Sequence, residues 1–170
     1  MKKKLIDLIG LFLLLLVTGV FWGTWFTLTR SIEDFQAPEF IHIGKVIIAN
    51  VAIPMRIIMP LCIVFMFLSI WNHRQKRSLL FFFGVFAFIL IIITLLITLL
   101  VLVPIDNNIK QWTPATVPAD WESIRNRWQF YHTIRTFTSL ASFGFFSISI
   151  LIFNNRKQLL QEEEKLAIIF

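Results

Sequence analysis

The stretch LLFFFGVFAFILIIITLLITLLVLV, Leu79 to Val103, decides the fold of this chain. It contains 25 residues and no charged side chain. About 20 apolar residues in a helix span the hydrocarbon core of a bilayer. Backbone amides inside lipid have no water to bond, so a spanning segment must pair them internally. The stretch therefore predicts a transmembrane helix.

Three further apolar runs accompany this stretch in a chain of 170 residues that is 57% hydrophobic. Soluble domains average about 45–50% apolar residues. The sequence predicts an all-α fold of four transmembrane helices in an antiparallel bundle, at about 8–28, 46–71, 79–104 and 128–153. Residues 29–45 and 105–127 are predicted as outer loops, although the fourth helix is expected to begin near Asp120. Residues 1–155 are predicted to form one membrane domain and residues 156–170 a tail. Within the tail, 161–170 could lie on the membrane surface as a short amphipathic segment, but it is expected to fray.

The net charge of +6 is concentrated beside the apolar runs, which argues against nucleic-acid binding. Nine Lys and Arg residues lie at the N-terminus, between the second and third spans, and in the tail, whereas the two outer loops contain five. Cytoplasmic segments are enriched in Lys and Arg, so both termini and the basic loop are predicted to be cytoplasmic. We expect a multi-pass protein of the cell membrane, the cytoplasmic membrane in a bacterium, with the lipid bilayer as its partner.

Small residues and prolines in the spans bear on helix packing. Cys62, the single cysteine, lies inside an apolar run and is expected to be a small core residue. Pro54 and Pro60 each remove a backbone donor and are expected to kink the second span. Gly19 and Gly23 form a G-x-x-x-G pattern, which allows close helix contact and makes this face a candidate surface for a homo-oligomer.

A stripe of aromatic and cationic side chains follows one face of the predicted fourth helix. At 100° per residue, steps of four, three, four and three place on that face Trp121, Arg125, Trp128, His132 and Arg135. One interpretation is an interior site, because an interfacial belt would distribute its aromatic residues around the helix. The other is a helix end whose arginines reach the lipid headgroups while its tryptophans anchor it. The helix alone leaves both interpretations open.

Arg56 lies about ten residues inside the second span. Arginine near the centre of a membrane helix costs about 2.5–3.5 kcal/mol on insertion scales, so Arg56 is expected to face the bundle and to have a partner. Candidate partners near the outer end are Glu33, Asp34, Asn50, Asp106, Asn107 and Asn108. Together with His42 and His132, these residues predict either a polar pocket that opens outward or an ion-paired network that only locks the helices together.

Neither a metal site nor a cofactor is predicted. The sequence contains no H-x-x-x-H pair, and nearby arginines would repel a cation. Metal binding stays open only if the folded chain brings His42 and His132 close to Glu33 or Asp34. Gly-rich phosphate loops, nucleophile elbows and C-x-x-C motifs are absent from the sequence.

Four polar motifs stand in otherwise apolar sequence. P-I-D-N-N runs from Pro104 to Asn108 and is followed by Trp112, and W-x-x-x-R-x-R-W-x-x-x-H-x-x-R runs from Trp121 to Arg135. The first span contains G-V-F-W-G at Gly19 to Gly23, and the second contains N-x-x-x-P-M-R at Asn50 to Arg56. In these motifs the chain resembles, over most of its length, a bacterial and fungal membrane family of mostly unknown function that includes the fungal anthrone oxygenases.

The resemblance implies a four-helix membrane protein and, for the oxygenase members, insertion of oxygen into an electron-rich polycyclic phenol without a known cofactor. In such chemistry a base removes a proton, the carbanion reacts with oxygen, and arginines or amides stabilise the oxyanion. His132 is then the candidate base, with Arg135, Arg56 and either Asn107 or Asn108 as candidate oxyanion donors. An aromatic or lipophilic substrate is expected to bind Asn107, Asn108, Trp112, Trp121, Arg125, Trp128, His42 and Asn50.

A second class of function stays open, a non-enzymatic carrier or accessory subunit whose Arg, His and Asn network is structural. A carrier is expected to show paired discontinuous helices or an internal repeat, and only the second span is broken by proline. An accessory subunit is expected to expose an apolar or small-residue face to its partner. Gly19 and Gly23 form the one patch of that kind.

Overall fold

The computed structural model describes the backbone of residues 2–74 and 79–169, and the side chains of residues 3–74 and 79–152. Every regular element in these ranges is helical. In chain order the elements are α1 (Lys2–Thr27), a 3₁₀ helix (Thr29–Asp34), α2 (Ala37–His73), α3 (Leu79–Ile97), a π-helical turn (Thr98–Leu102), α4 (Val103–Gln111) and α5 (Trp121–Ile169).

Four helical stretches are long and apolar enough to cross a membrane. They are Lys3–Asp34, Ala37–His73, Leu79–Gln111 and Trp121–Ile152. The prediction of an all-α fold with four membrane-length helices is therefore confirmed. We refer to Leu79–Gln111, which joins α3, the π-helical turn and α4, as the third span.

Much of the first predicted outer loop, 29–45, is helical. After the 3₁₀ helix, α2 begins at Ala37 and not near residue 46. Pro38 lies in the first turn of α2, where the missing N–H of a proline leaves no helical hydrogen bond unmade. The Gln36 N–H donates to the Glu39 carboxylate (3.0 Å), and this bond caps the helix. Local capping chemistry, and not hydrophobicity, therefore sets where α2 begins.

The third span also continues past its predicted end at Pro104. A proline has no N–H to donate to the carbonyl four residues earlier. Just before the proline the helix widens, and the Val103 N–H donates to the Thr98 carbonyl, five residues back. Pro104 then occupies the first turn of α4, where its missing donor is tolerated.

The fourth helix is longer at both ends than the predicted 128–153. It begins directly after Asp120, as expected, and the Ser123 N–H donates to the Asp120 carbonyl (3.0 Å). The second outer loop thereby shortens to residues 112–120. At its other end the backbone of α5 is helical as far as Ile169, and whether the segment 161–170 frays stays a prediction.

The main apolar core lies where the four spans come closest. Its buried members are Leu14, Val17, Phe21, Met59, Cys62, Met66, Ala87, Ile91, Phe146 and Ile150. Cys62 is buried, as predicted. Small residues bring the third span and α5 together: the Ser142 hydroxyl donates to the Ala87 carbonyl (2.7 Å), and a Cβ on Gly84 would lie 3.1 Å from Ser149 Oγ. Close approach of this kind supplies packing energy that lipid-facing side chains cannot.

Two expectations about the spans stay predictions. α2 continues without interruption through Pro54 and Pro60, and whether it bends there is untested. At Gly19 and Gly23, a Cβ would meet no atom of another described element within 4 Å. Neither glycine therefore packs against the rest of the described chain, and self-association through this face is untested.

A buried carboxylate that sequence analysis does not single out joins α1 to α2. Asp7 is 2% exposed. Its Oδ1 accepts a hydrogen bond from the Ser69 hydroxyl (2.6 Å), and its Oδ2 lies 3.1 Å from His73 Nε2. We call this the terminal end of the bundle. The opposite end, where Thr29 and Trp112 lie, is the loop end.

We expect Asp7→Ala to destabilise the protein, because it leaves the buried Ser69 hydroxyl without its acceptor. The loss should be about 1–3 kcal/mol, the usual cost of an unpaired buried polar group. The measurement is the midpoint of thermal unfolding in detergent. Asp34→Ala is the matched control, since Asp34 is exposed and makes no hydrogen bond or ion pair with a described residue. Equal midpoints for the two variants would contradict a stabilising role for Asp7.

Candidate functional site

A cavity of about 490 Å³ lies between the four spans, towards the loop end. Most of its lining residues are apolar, namely Ile, Leu, Val and Met together with Phe21, Ala52 and Pro60. The residues on its wall that carry a polar group are Thr24, Arg56, Thr98, Asp106, Asn107, Lys110, Trp128, His132 and Arg135. The arrangement is a mainly apolar pocket with a few convergent polar groups, which is typical of small-molecule sites.

All three residues predicted to be catalytic border this one cavity: His132 and Arg135 from α5, and Arg56 from α2. Asn107 and Trp128, predicted to bind substrate, border it as well. The structure therefore brings together five of the predicted site residues.

His132 is 3% exposed, and its imidazole lies against the ring of Trp128, with 4.8 Å between the centroids. Its Nδ1 lies 3.5 Å from the hydroxyl of Thr29, and that hydroxyl lies 3.4 Å from the Thr24 carbonyl. When the Thr29 hydroxyl donates to the Thr24 carbonyl, which can only accept, its oxygen is free to accept from Nδ1–H. In that tautomer Nε2 carries the lone pair, and it makes no hydrogen bond to a described side chain.

Thr29 is itself held in place. It is buried, and its backbone carbonyl accepts a hydrogen bond from the Gln129 side chain (3.1 Å). Sequence analysis missed Thr29, because it stands in a short 3₁₀ helix far along the chain from His132. Only the packing of the 3₁₀ helix against α5 brings the two together.

Arg135 is held by an aromatic ring and a hydroxyl. Its guanidinium carbon lies 4.2 Å from the centroid of the Phe21 ring, and Nη1 lies 3.5 Å from the Thr98 hydroxyl. Its Nε is buried and has no hydrogen-bond partner among the described residues. One guanidinium donor is thus available to an acceptor that the described chain does not supply.

Asp106 is the acid of the cavity wall. Its Oδ1 accepts a hydrogen bond from the Trp128 indole (3.0 Å), and no described cation lies within ion-pair distance of it. Sequence analysis named Asp106 only as a candidate partner for the arginines. Its spacing was the missed signal, because Leu102, Asp106 and Lys110 follow one another at helical steps of four and all three border the cavity.

The prediction that Arg56 is buried with an acidic or amide partner is wrong. Arg56 borders the cavity but is exposed, and it makes no hydrogen bond or ion pair with any residue that the structure describes. The reason is the position of its helix. Between Ile48 and Met59, α2 has no buried residue and no neighbour close enough to pair with the guanidinium.

The remaining predicted binding residues lie outside the cavity wall. Trp112 is buried and its carbonyl accepts a hydrogen bond from Lys45 Nζ (2.7 Å). The guanidinium carbon of Arg125 lies 5.0 Å from the centroid of the Trp121 ring, above the cavity at the loop end. The other three are exposed: His42, Asn50 and Asn108.

The aromatic and cationic stripe of α5 is therefore divided between two environments. Trp121 packs against the apolar cluster at the loop end that contains Phe40, Ile41 and Trp112, and Arg125 lies over its ring. Trp128, His132 and Arg135 border the cavity, and Trp128 also belongs to that cluster. The interior interpretation holds for the latter three. Arg125 is buried, so the alternative in which it reaches the headgroups is wrong. Among the residues that the structure describes, no three His, Cys, Asp or Glu side chains are grouped as metal ligands would be.

Comparison with known protein families matches the anthrone oxygenase family over residues 45–145, more than half of the chain. The matched region contains Arg56, Asp106, His132 and Arg135. A search of curated proteins and a search of solved structures each find no match. The family match confirms the resemblance seen in the motifs, and the chain belongs to the anthrone oxygenase family.

Proposed function

We propose that this protein is a membrane-embedded oxygenase that uses no cofactor and acts on a lipid-soluble aromatic molecule with an acidic C–H bond. The observation that carries the proposal is the state of His132. A buried imidazole borders a mainly apolar cavity, and in the tautomer whose Nδ1–H donates to Thr29 its Nε2 carries a lone pair and makes no hydrogen bond to a described side chain. That is the state a general base needs.

The cavity is suited to an aromatic ligand. Its volume of about 490 Å³ falls within the range of roughly 300–1,000 Å³ usual for small-molecule pockets. Its walls are mainly aliphatic, and most of the polar groups are on α5 and the third span, with Thr24 on α1 and Arg56 on α2 as the other two. A flat, mostly apolar molecule with an oxygen at one edge fits this distribution.

The reaction begins when His132 Nε2 takes a proton from the acidic carbon. The resulting carbanion gives its electrons to molecular oxygen, and a C–O bond forms. The peroxide accepts the proton from His132. The carbon then loses its second hydrogen as a proton, and the electrons of that C–H bond form the C=O bond as the O–O bond breaks. The hydroxide that leaves takes up the proton, so a CH₂ group and O₂ become a carbonyl group and water. Atoms and electrons balance without any further reductant.

Arg135 stabilises the negative charge that develops on oxygen. Its Nε is buried and without a partner in the described chain, and its contact with Phe21 keeps the guanidinium fixed beside the cavity. A preorganised donor of this kind stabilises a developing oxyanion more than water does, because the donor need not reorient during the reaction. Asn107, which borders the cavity near its loop end, is a second candidate donor.

A non-enzymatic carrier or accessory subunit is less well supported. If the polar groups served only to lock the helices, the cations of the loop half should be paired with acids. Within the described residues the ion pair found is His73–Asp7, at the terminal end. Arg56, Arg135 and Asp106 form none.

We expect His132→Gln to abolish turnover while leaving stability and ligand binding close to wild type. Glutamine keeps a hydrogen-bonding group of similar reach but cannot take up a proton at neutral pH. A general base typically contributes about 10²–10⁴-fold, and the loss should fall in that range. Oxygen uptake with anthrone, in detergent micelles, is the measurement. Full activity of the Gln variant would exclude the base role.

Thr29→Val should lower kcat roughly tenfold with KM unchanged, because the isosteric side chain no longer fixes the imidazole tautomer but leaves the cavity wall intact. Thr29→Ser should restore most of the activity, since it returns the hydroxyl. A merely structural role would predict a lower melting midpoint, with no difference between Val and Ser in kcat at equal stability. Steady-state oxygen uptake and thermal unfolding separate the two roles.

We further propose an antiparallel order of the four spans, with the loop end outside the cell and both termini in the cytoplasm, in the cell membrane. The Lys and Arg asymmetry supports this orientation. Six of the residues in that count lie in the segments whose side chains are not described: Lys2, Lys76, Arg77, Arg156, Lys157 and Lys165. Self-association through Gly19 and Gly23 is proposed on the pattern alone.

Single cysteines in a Cys62→Ala protein should test the orientation. A cysteine at Thr116, in the second outer loop, should react with an impermeant thiol reagent added to intact cells. A cysteine at Gln75, which lies outside the described residues, should react only after the cells are opened. Labelling of the Gln75 variant from outside would overturn the orientation.

A further inference from the structure

The wall of the cavity is unevenly closed. Its lining residues on α1 and α5 are all buried or half-buried. The exposed lining residues are confined to α2 and the third span: Arg56, Pro60, Leu99, Val103, Asn107 and Lys110. We call the gap that these six residues border the side opening. The cavity therefore communicates with the outside between α2 and the third span.

Both helices lack buried residues along this gap. On α2 none of residues 49–58 is buried, and on the third span none of residues 95–101 is buried. Beyond the gap, buried residues resume on both helices, at Met59 and Cys62 and at Thr94 and Leu102. Before and after these two segments α2 and the third span each have buried residues, whereas along the segments the two helices are separated.

The side opening lies along parts of α2 and the third span that are long and apolar enough to cross a membrane. On the third span the segment without buried residues is 95–101, and Val103, Asn107 and Lys110 continue the rim towards the loop end, where buried residues pack the helix again. Leu99 and Val103 lie inside a stretch that can span a membrane, and so do Arg56 and Pro60. A molecule dissolved among the lipid tails would meet the gap directly.

We infer that the ligand reaches the cavity from the bilayer through the side opening, and that Arg56 on its rim binds an acidic oxygen of that ligand. The size and aromatic character of the ligand rest on the proposed function, but the route does not. Arg56 is exposed within a span and has no partner among the described residues, and a cation at that depth is costly without one. A ligand with a phenolate or carboxylate oxygen supplies the partner.

Trp substitutions at neighbouring positions of the π-helical turn test the route. Leu99 borders the side opening, whereas Leu100 is 70% exposed and does not border the cavity. In phosphatidylcholine nanodiscs, Leu99→Trp should slow the association of pyrene-1-carboxylate at least about tenfold, because the indole obstructs the gap. Leu100→Trp should leave the association rate unchanged. The rate is followed by energy transfer from tryptophan to pyrene.

The same assay tests Arg56. Arg56→Gln should weaken binding of pyrene-1-carboxylate about tenfold, equivalent to about 1.4 kcal/mol, and should not affect binding of uncharged pyrene. Arg56→Lys should restore most of the affinity for the acid, since it returns the charge. Equal losses for the acid and for pyrene would show that Arg56 acts only through packing and would overturn its assigned role.

The comparison of the two Trp variants decides the route. Equal association rates for Leu99→Trp and Leu100→Trp, at matched melting midpoints, would exclude it. If Leu99→Trp unfolds the protein, Val103→Trp provides the same test one helical turn closer to the loop end. If phosphatidylglycerol in the nanodisc competes with pyrene-1-carboxylate in proportion to its mole fraction, the occupant is a lipid. Association kinetics require no turnover, so the route can hold even where the oxygenase activity fails.

Discussion

The hydrocarbon core of a bilayer offers no water to a backbone amide, and this constraint shapes the part of the chain on which the site depends. Pro104 lacks an N–H, so the third span widens into a π-helical turn before it and pairs Val103 with the Thr98 carbonyl. The helix can then extend to Gln111 and place Asp106 and Lys110 on the cavity wall. The same turn contains the Thr98 hydroxyl that Arg135 approaches. Turns of this kind are frequent at functional sites.

The polar groups of the loop half are satisfied in a way that leaves their charges available. Trp128 donates to Asp106, Arg135 lies on Phe21 and near Thr98, and His132 contacts Thr29. These contacts are with rings, hydroxyls and an indole, and Asp106, the acid that interacts electrostatically with Arg135, lies beyond ion-pair distance of it. An ion-paired lock would have compensated the charges within the protein and stabilised it only when both partners were well placed. The observed arrangement holds the side chains in position and leaves ligand-facing donors unpaired.

Hydrophobic pattern was enough to predict the four membrane-length helices, because length and the absence of charge decide whether a segment can span lipid. Their ends were less predictable, since Pro38, Glu39 and Pro104 act through backbone bonds that hydropathy does not register. Within the site, His132 and Arg135 followed from helical periodicity and the family motifs. Thr29 in the site and Asp7 at the terminal end could not be predicted in this way, because their contacts join elements far apart in the chain. Arg56 was grouped with His132 and Arg135, and all three border one cavity, but periodicity could not show that α2 and the third span separate beside Arg56.

In the proposed reaction the protons balance within the site, and this fits the apolar walls. The proton that His132 takes from carbon returns to the peroxide, and the second C–H proton leaves in water as the O–O bond breaks. The net change turns CH₂ and O₂ into a carbonyl and water, so no path for protons to bulk solvent is required. Oxygen and an aromatic substrate are both apolar and concentrate in hydrocarbon. A cavity that communicates with the bilayer would draw both reactants from one phase while the base remains shielded from water.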